Sequence, residues 1–271
     1  MSTPADRYVD RVFLGEDGSP RLARCALLFL DFLGVTDMAT SSRAQQNLAE
    51  LEQAIRGVLR DFLDPGSPWP AAMFSDTLVM ASPVDVAGGE EPAIADLIFQ
   101  ACWLQLSLAE RGFFARGSIA LGDFYIRDEF VFGAALVEAY RLERDNAIHP
   151  RVILSDAVHE AHRENLQKYA AEKGRPLTTL VLRDRDGRAF LNYLEVLFEE
   201  TDDPIPRLVA HRDALIAKLR TYRAESRVWE KYRWVSEYHN HFCRKNARRE
   251  WDLPALLIPD ADLAQELHPI I

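Results

Sequence analysis

From Arg24 to Phe32 every residue after the arginine is apolar except Asp31 near the end, and the run stops at a turn around Gly34. That pattern predicts a strand buried on both faces rather than one alternating between core and water. From residue 41 to 63 the period changes: Leu48, Leu51, Ile55, Leu59 and Phe62 recur at helical spacing, with Ser41 or Ser42 as cap and the prolines at 65–70 as stop. Residues 71–82 read as two short strands joined at a tight turn over 74–77. A loop over 83–91 leads into an apolar-striped helix over 92–110. Strands are expected at 113–121 and 124–132 around Gly122-Asp123, then a helix over 134–144, a strand over 151–154 and a helix over 156–169. A hairpin over 177–194 turns at Asp184–Gly187.

After Pro204 and Pro206 the pattern becomes purely helical, over 207–224 and 226–248. The expectation is an α+β fold. An antiparallel sheet of split β-α-β type is covered by helices, and a helical extension follows. The divisions expected are an N-terminal segment over 1–22, a β-α domain over 23–200 and the extension over 201–271.

Composition narrows the function. The 271 residues carry 42 Asp and Glu against 32 Lys and Arg, a net charge of −10. An acidic chain is a poor partner for nucleic acid or an anionic membrane, and neither is expected. It suits a nucleotide bound through a metal ion, whose ligands are carboxylates. Cys25, Cys102 and Cys243 are too few and too far apart for a disulfide framework or a zinc motif. Residues 1–12 lack the apolar core of a secretory signal, and 25–35 is too short to span a bilayer, so the cytoplasm is the expected compartment.

Asp31 and Asp76 are the sharpest chemical feature. Each sits where an apolar strand meets a turn. A carboxylate ending such a strand is costly without a partner. If the hairpin lies beside the first strand, the two charges meet and repel unless a cation joins them, and hard oxygen ligands suit Mg²⁺ or Mn²⁺. The other reading of the same spacing is a pair of turn-capping aspartates.

Leu27-Leu-Phe-Leu-Asp-Phe-Leu-Gly34 resembles the first-strand motif of class III nucleotide cyclases, and Phe74-Ser-Asp-Thr-Leu-Val79 resembles their second metal motif. Arg116-Gly-Ser-Ile-Ala-Leu-Gly122 is similar to their Arg-x-Gly-Ile strand, with the first glycine one position early. Phe132-Gly-Ala-Ala-Leu-Val-Glu-Ala-Tyr-Arg-Leu-Glu143 resembles the segment carrying their catalytic helix. The four come in family order. Together with Pro150-Arg-Val-Ile-Leu-Ser155, Lys231-Tyr-Arg-Trp234 and Tyr238-His-Asn240, they look most like the bacterial pyrimidine cyclases of Pycsar anti-phage defence.

The resemblance implies roles by position. Asp31 and Asp76 match the metal-binding aspartates, with the carbonyl of Phe32 as a further ligand and two Mn²⁺ or Mg²⁺ ions per site. Arg141 matches the arginine that meets charge developing on the triphosphate; the other reading is a surface helix arginine. Arg116, Phe32, Met73 and Phe130 are expected to contact substrate. Met73 and Phe130 stand where adenylate cyclases read adenine through lysine and aspartate, and Val137 replaces an asparagine that contacts ribose. Neither Met nor Phe can hydrogen-bond a base edge through its side chain, which argues against adenine.

The implied protein is a homodimer with shared sites. It would convert UTP, or alternatively CTP, to a cyclic monophosphate that acts on a separate effector. The rival reading is a non-catalytic sensor with the same fold.

Other candidates read as structure. His159 and His162 are spaced three apart, unlike the H-E-x-x-H motif, and suggest a solvated helix face. His239, His241 and Cys243 do not converge on one helix face, so packing between the last helices is expected. Trp229, Tyr232, Trp234 and Tyr238 read as core of the extension. Neither G-x-G-x-x-G nor a P-loop occurs.

Overall fold

The apolar runs assemble into one sheet of eight strands. A computed structural model describes residues 11–60, 69–127, 130–170, 179–201, 203–259 and 262. In chain order it contains β1 (Ala23–Phe32), α1 (Val35–Thr40), α2 (Ala44–Leu59), β2 (Ala71–Phe74), β3 (Thr77–Pro83), α3 (Val84–Ala87) and α4 (Glu90–Ala109). Then come β4 (Ala115–Arg127), β5 (Phe130–Phe132), α5 (Ala134–Asn146), β6 (Val152–Leu154), α6 (Asp156–Ala170), β7 (Val181–Arg183) and β8 (Ala189–Leu191). The chain closes with α7 (Leu197–Glu200), α8 (Ile205–Thr221), α9 (Ser226–Asn246) and α10 (Leu253–Leu256).

The strand order is β2-β3-β1-β4-β6-β8-β7, with β5 paired to β4. Among the described strands only β4 and β6 run parallel to each other. The fold is α+β, and β1 to β4 with their helices form the split β-α-β pattern.

Alternation along β1 sorts its side chains. Ala26, Leu28, Leu30 and Phe32 join a large core with Leu59 of α2, Leu97 of α4, Leu215 of α8 and Val235 of α9. Cys25, Leu27 and Phe29 face the other way, onto Phe13, Phe124 and Ala135 and Ala139 of α5. The extension is part of the larger core. Arg207 of α8 clasps Glu110 at the end of α4 through Nε at 2.6 Å and Nη2 at 2.9 Å. The buried His239 and His211 stack with centroids 5.1 Å apart, and Trp229, Tyr232, Trp234 and Tyr238 are buried. α4 is long and apolar enough in composition to cross a bilayer, yet 61% of that stretch is buried in this core.

Several expected elements differ. Gly122-Asp123 is no turn. β4 runs through it unbroken, with Gly122 opposite Cys25, and β5 begins only at Phe130. The glycine that turns the chain into α5 is Gly133, at φ 145°, where a Cβ would lie 2.3 Å from the Asp123 carbonyl oxygen. The helix expected from residue 41 is α2, from Ala44 to Leu59, and a separate helix, α1, precedes it. Ser41 is extended between them, its hydroxyl accepting the Asn47 side-chain amide at 2.9 Å, so it is not the α2 cap. Leu48 is exposed, and Phe62 lies outside the described residues. The 83–91 loop holds α3. Ser155 caps α6, its hydroxyl accepting the Val158 amide at 3.3 Å. His162 is buried rather than solvated, because its side of α6 packs inward toward the core. The start of the hairpin expected from 177 falls outside the described residues.

Candidate active site

The register brings the predicted carboxylates to one end of the sheet. Asp31 lies opposite Thr77 of β3 on one side and Arg116 of β4 on the other. Asp76 sits in the β2–β3 turn, and its carbonyl accepts the Phe32 amide at 2.9 Å. That bond ties the hairpin turn to the end of β1. β4 comes this close because residue 117 is glycine: a Cβ there would lie 2.3 Å from the Phe29 carbonyl oxygen.

Asp31 is on the α5 side of the sheet, with its carboxylate partly exposed. Burial raises its pKa and Asp76 raises it further, opposed by the hydrogen bond and charge of Arg116. Arg116 Nε lies 3.1 Å from Asp31 Oδ2 and 2.7 Å from Glu143 Oε1. Glu143 comes from the sheet-facing side of α5, one turn after Ala139, whose carbonyl accepts the Ser118 hydroxyl at 2.7 Å. Burial pushes the Glu143 carboxyl up to about 7, against the pull of Arg116. Lys231 of α9 lies within electrostatic range of Asp31, Glu143 and Arg116, and burial lowers its pKa. Its neighbour Tyr232 packs edge-on to Phe114 at 5.4 Å and stacks on Tyr222 at 5.5 Å, so α9 forms a wall beside this end of the sheet.

The remaining predicted residues divide. Phe32 is buried in the main core, leaving its main chain for the site. Met73 pairs with Leu78, which pairs with Leu30, so it faces the large core, away from the Asp31 face. Phe74 pairs with Thr77 and therefore shares that face, 45% exposed. Phe130 pairs with Arg127, eleven residues up β4 from Arg116. At ~3.3 Å per residue that is about 36 Å of strand. Arg141 lies on α5 midway between the sheet-facing Ala139 and Glu143, about 200° round the helix from each, and is exposed. Among the described residues Arg141 makes no hydrogen bond or ion pair, although Asp145 is within electrostatic reach. Other exposed apolar side chains are Val137 and Tyr140 on α5 and Phe130 and Phe132 on β5.

One chain therefore unites Asp31, Phe32, Asp76 and Arg116, and separates them from Arg141 and Phe130. Glu143, Lys231 and Phe74 are additions that the sequence alone did not single out as site residues. Among the described residues no group of three His, Cys, Asp or Glu side chains is arranged to hold a metal ion. The donors present are two carboxylates and the Phe32 carbonyl, hard oxygens whose mutual repulsion a divalent cation would relieve.

No protein-family profile matches the chain, and no curated protein is similar to it in sequence. Solved structures with a related chain course include the adenylyl cyclase CyaB from P. aeruginosa, at 11% identity and a TM-score of 0.46, covering 63% of this chain and 94% of that one. The guanylyl cyclase Cya2 is similar at 13% identity and a TM-score of 0.42, covering 63% and 91%. A class III adenylyl cyclase-like ATP-binding protein from Pseudomonas aeruginosa is similar at 16% identity and a TM-score of 0.42, covering 58% and 42%. Likeness of this degree concerns chain course, and nothing about the site rests on it.

Proposed function

We propose that this chain is a nucleotide cyclase of class III type that acts on a pyrimidine nucleoside triphosphate. The observation carrying the reading is the meeting of Asp31 and Asp76 at one sheet end, tied by the Phe32–Asp76 main-chain bond. In the reaction the 3′-oxygen bonds to the α-phosphorus, the bond from that phosphorus to the β-phosphate oxygen breaks, and pyrophosphate leaves. The hydroxyl proton is released to solvent. Asp31, Asp76 and the Phe32 carbonyl would hold Mn²⁺ or Mg²⁺, which lowers the pKa of the attacking hydroxyl and offsets triphosphate charge. Arg141 would offer its exposed guanidinium to the developing phosphate charge.

Arg141 and Phe130 do not share a pocket with Asp31 in their own chain. A complete site then draws on two subunits, with Arg141 and Phe130 of one facing the carboxylates of the other. The exposed Phe130, Phe132, Val137 and Tyr140 offer apolar surface to such an interface. The pyrimidine choice is supported by residue type: Phe130 and Val137 offer no polar reader of adenine or ribose. UTP is preferred over CTP, and the cyclic product would act on a separate effector in phage defence.

Incubation with each ribonucleoside triphosphate and Mn²⁺, followed by mass identification, tests this. Cyclic UMP or cyclic CMP is the expected product. Mainly cyclic AMP or GMP would overturn the pyrimidine assignment alone. No cyclic product from any triphosphate would favour a nucleotide sensor, the reading that Arg116 pairing with Asp31 supports.

A further inference from the structure

The Arg116 guanidinium is shared unequally. Its Nε donates to Asp31 Oδ2 at 3.1 Å, yet Glu143 Oε1 is closer, at 2.7 Å. Glu143 Oε1 nonetheless has no hydrogen-bond partner, because the N–H points at Asp31. Glu143 is 3% exposed, so water does not readily complete it. A buried carboxylate oxygen without a donor, in contact with a guanidinium that is bonded elsewhere, is an unfinished pair. A small rotation would turn the fork of Arg116 onto Glu143 and release Asp31.

We propose that Glu143 is a positioning residue that draws Arg116 off Asp31 and so frees Asp31 for the divalent cation. This rests on the cyclase reading of Asp31. Without Glu143, the guanidinium stays on Asp31 and competes with the cation for the same oxygen. With Glu143, an arriving cation can displace it onto a carboxylate already within reach, and Lys231 remains beside the cluster as its second cation. Glu143 follows Arg141 by two positions, so its contact with Arg116 also sets the roll of α5 that turns Arg141 outward.

The test is Mn²⁺ binding to the full chain, read from the free-ion signal by electron paramagnetic resonance, with no nucleotide present. Glu143→Asp keeps the charge but draws the carboxylate back by about 1.5 Å, one C–C bond, out of reach of Arg116. The expected result is at least a tenfold rise in Kd for Mn²⁺, and a similar rise in Glu143→Gln. In an Arg116→Gln background the competitor is gone, so either change at Glu143 should move Kd by less than threefold. Glu143→Asp binding within threefold of wild type would mean that only the charge matters and would overturn the proposal. A loss that persists undiminished in the Arg116→Gln background would mean structural damage and would overturn it too. If Glu143→Asp does not fold, the Glu143→Gln pair decides by the same comparison. Wild-type protein that binds no Mn²⁺ would instead sink the cyclase reading of Asp31 and the proposal with it, whereas the two outcomes above leave that reading standing.

Discussion

His162 makes acid sensitivity measurable at a single residue. It is buried on α6, its Nε2 has no hydrogen-bond partner, and burial lowers its pKa from 6.5 to about 4, helped by the nearby His159. The folded chain keeps this imidazole neutral, whereas the unfolded chain protonates it. The stability it contributes is therefore fully present above pH 6.5 and is lost as pH falls toward 4. Two and a half pKa units correspond to about 3.4 kcal/mol in all, of which about 2 kcal/mol is lost by pH 5. Glu143 acts in the opposite sense. Its folded pKa is raised to about 7, so it favours folding more as pH falls through 7 toward 4.5, and the raw pH slope mixes the two. His162→Leu isolates one of them: leucine fills similar space, does not titrate and leaves no orphaned nitrogen. Urea unfolding of wild type and variant at pH 8 and pH 5 should show the wild type losing about 2 kcal/mol more than the variant between the two. At pH 8 the variant should be no less stable. Equal losses, within about 0.5 kcal/mol, would mean that His162 is solvated or paired in the native state, and the argument from its burial would fail.

Further outcomes follow from the same contacts. Asp31→Asn and Asp76→Asn should each cut cyclic-nucleotide formation at least ~100-fold with unchanged circular dichroism, since each replaces a ligand charge with an amide of the same shape; turnover within tenfold of wild type in both would remove them from the mechanism. Asp31→Asn and Arg141→Ala chains, inactive alone, should regain activity when mixed and allowed to exchange, and a mixture that stays inactive despite proven exchange would put the site within one chain. UTP or CTP should be converted at least ~10-fold faster than ATP or GTP, and Phe130→Ala should erode that ratio if its ring walls the base pocket. Arg151 is 2% exposed and ion-paired to Asp184 and Asp186, so Arg151→Met should cost ~1–3 kcal/mol in urea unfolding, chiefly by removing a charged partner from the largely buried Asp184, since Asp186 is 45% exposed and screened by water.

The main sheet was legible wherever the local pattern and the final environment agree. The 24–32 run became β1 because a segment apolar on both faces has to be covered on both, and the 74–77 turn was marked by polar residues between apolar runs. Gly122-Asp123 misled because a glycine and an aspartate favour a turn locally, whereas pairing with β1 and contact with Ala135 hold that point extended. Met73 and Phe74 show how sharp the limit is: the side-chain period is two, so one residue of register decides which of them faces Asp31. His162 reads as a solvated helix position in sequence, and nothing local marks Glu143 or Lys231 for the site. How far each is covered is set by which face α6, α5 and α9 present to distant strands and helices, and no local spacing encodes that.

The change in sequence character after Pro204 and Pro206 marks the point where helices replace strands, and the core continues across it. Leu208, Leu215 and Leu219 of α8 belong to the same buried cluster as Leu28 and Leu30 of β1 and Leu97 of α4. Tyr238 of α9 donates its hydroxyl to Asn192 at 2.7 Å and accepts the Leu194 amide at 3.0 Å, fixing the segment that follows β8. The position of Lys231 depends on that packing, because Tyr232 beside it is held on Phe114 immediately before β4 begins at Ala115. Arg116 follows Ala115, and Asp31 is its partner. The charge balance around Asp31 is therefore set jointly by the sheet, by α5 through Glu143 and by the last long helix through Lys231. Asp31 and Asp76 stand out in two short motifs, but the electrostatic environment around Asp31 is assembled from segments far apart in the described chain.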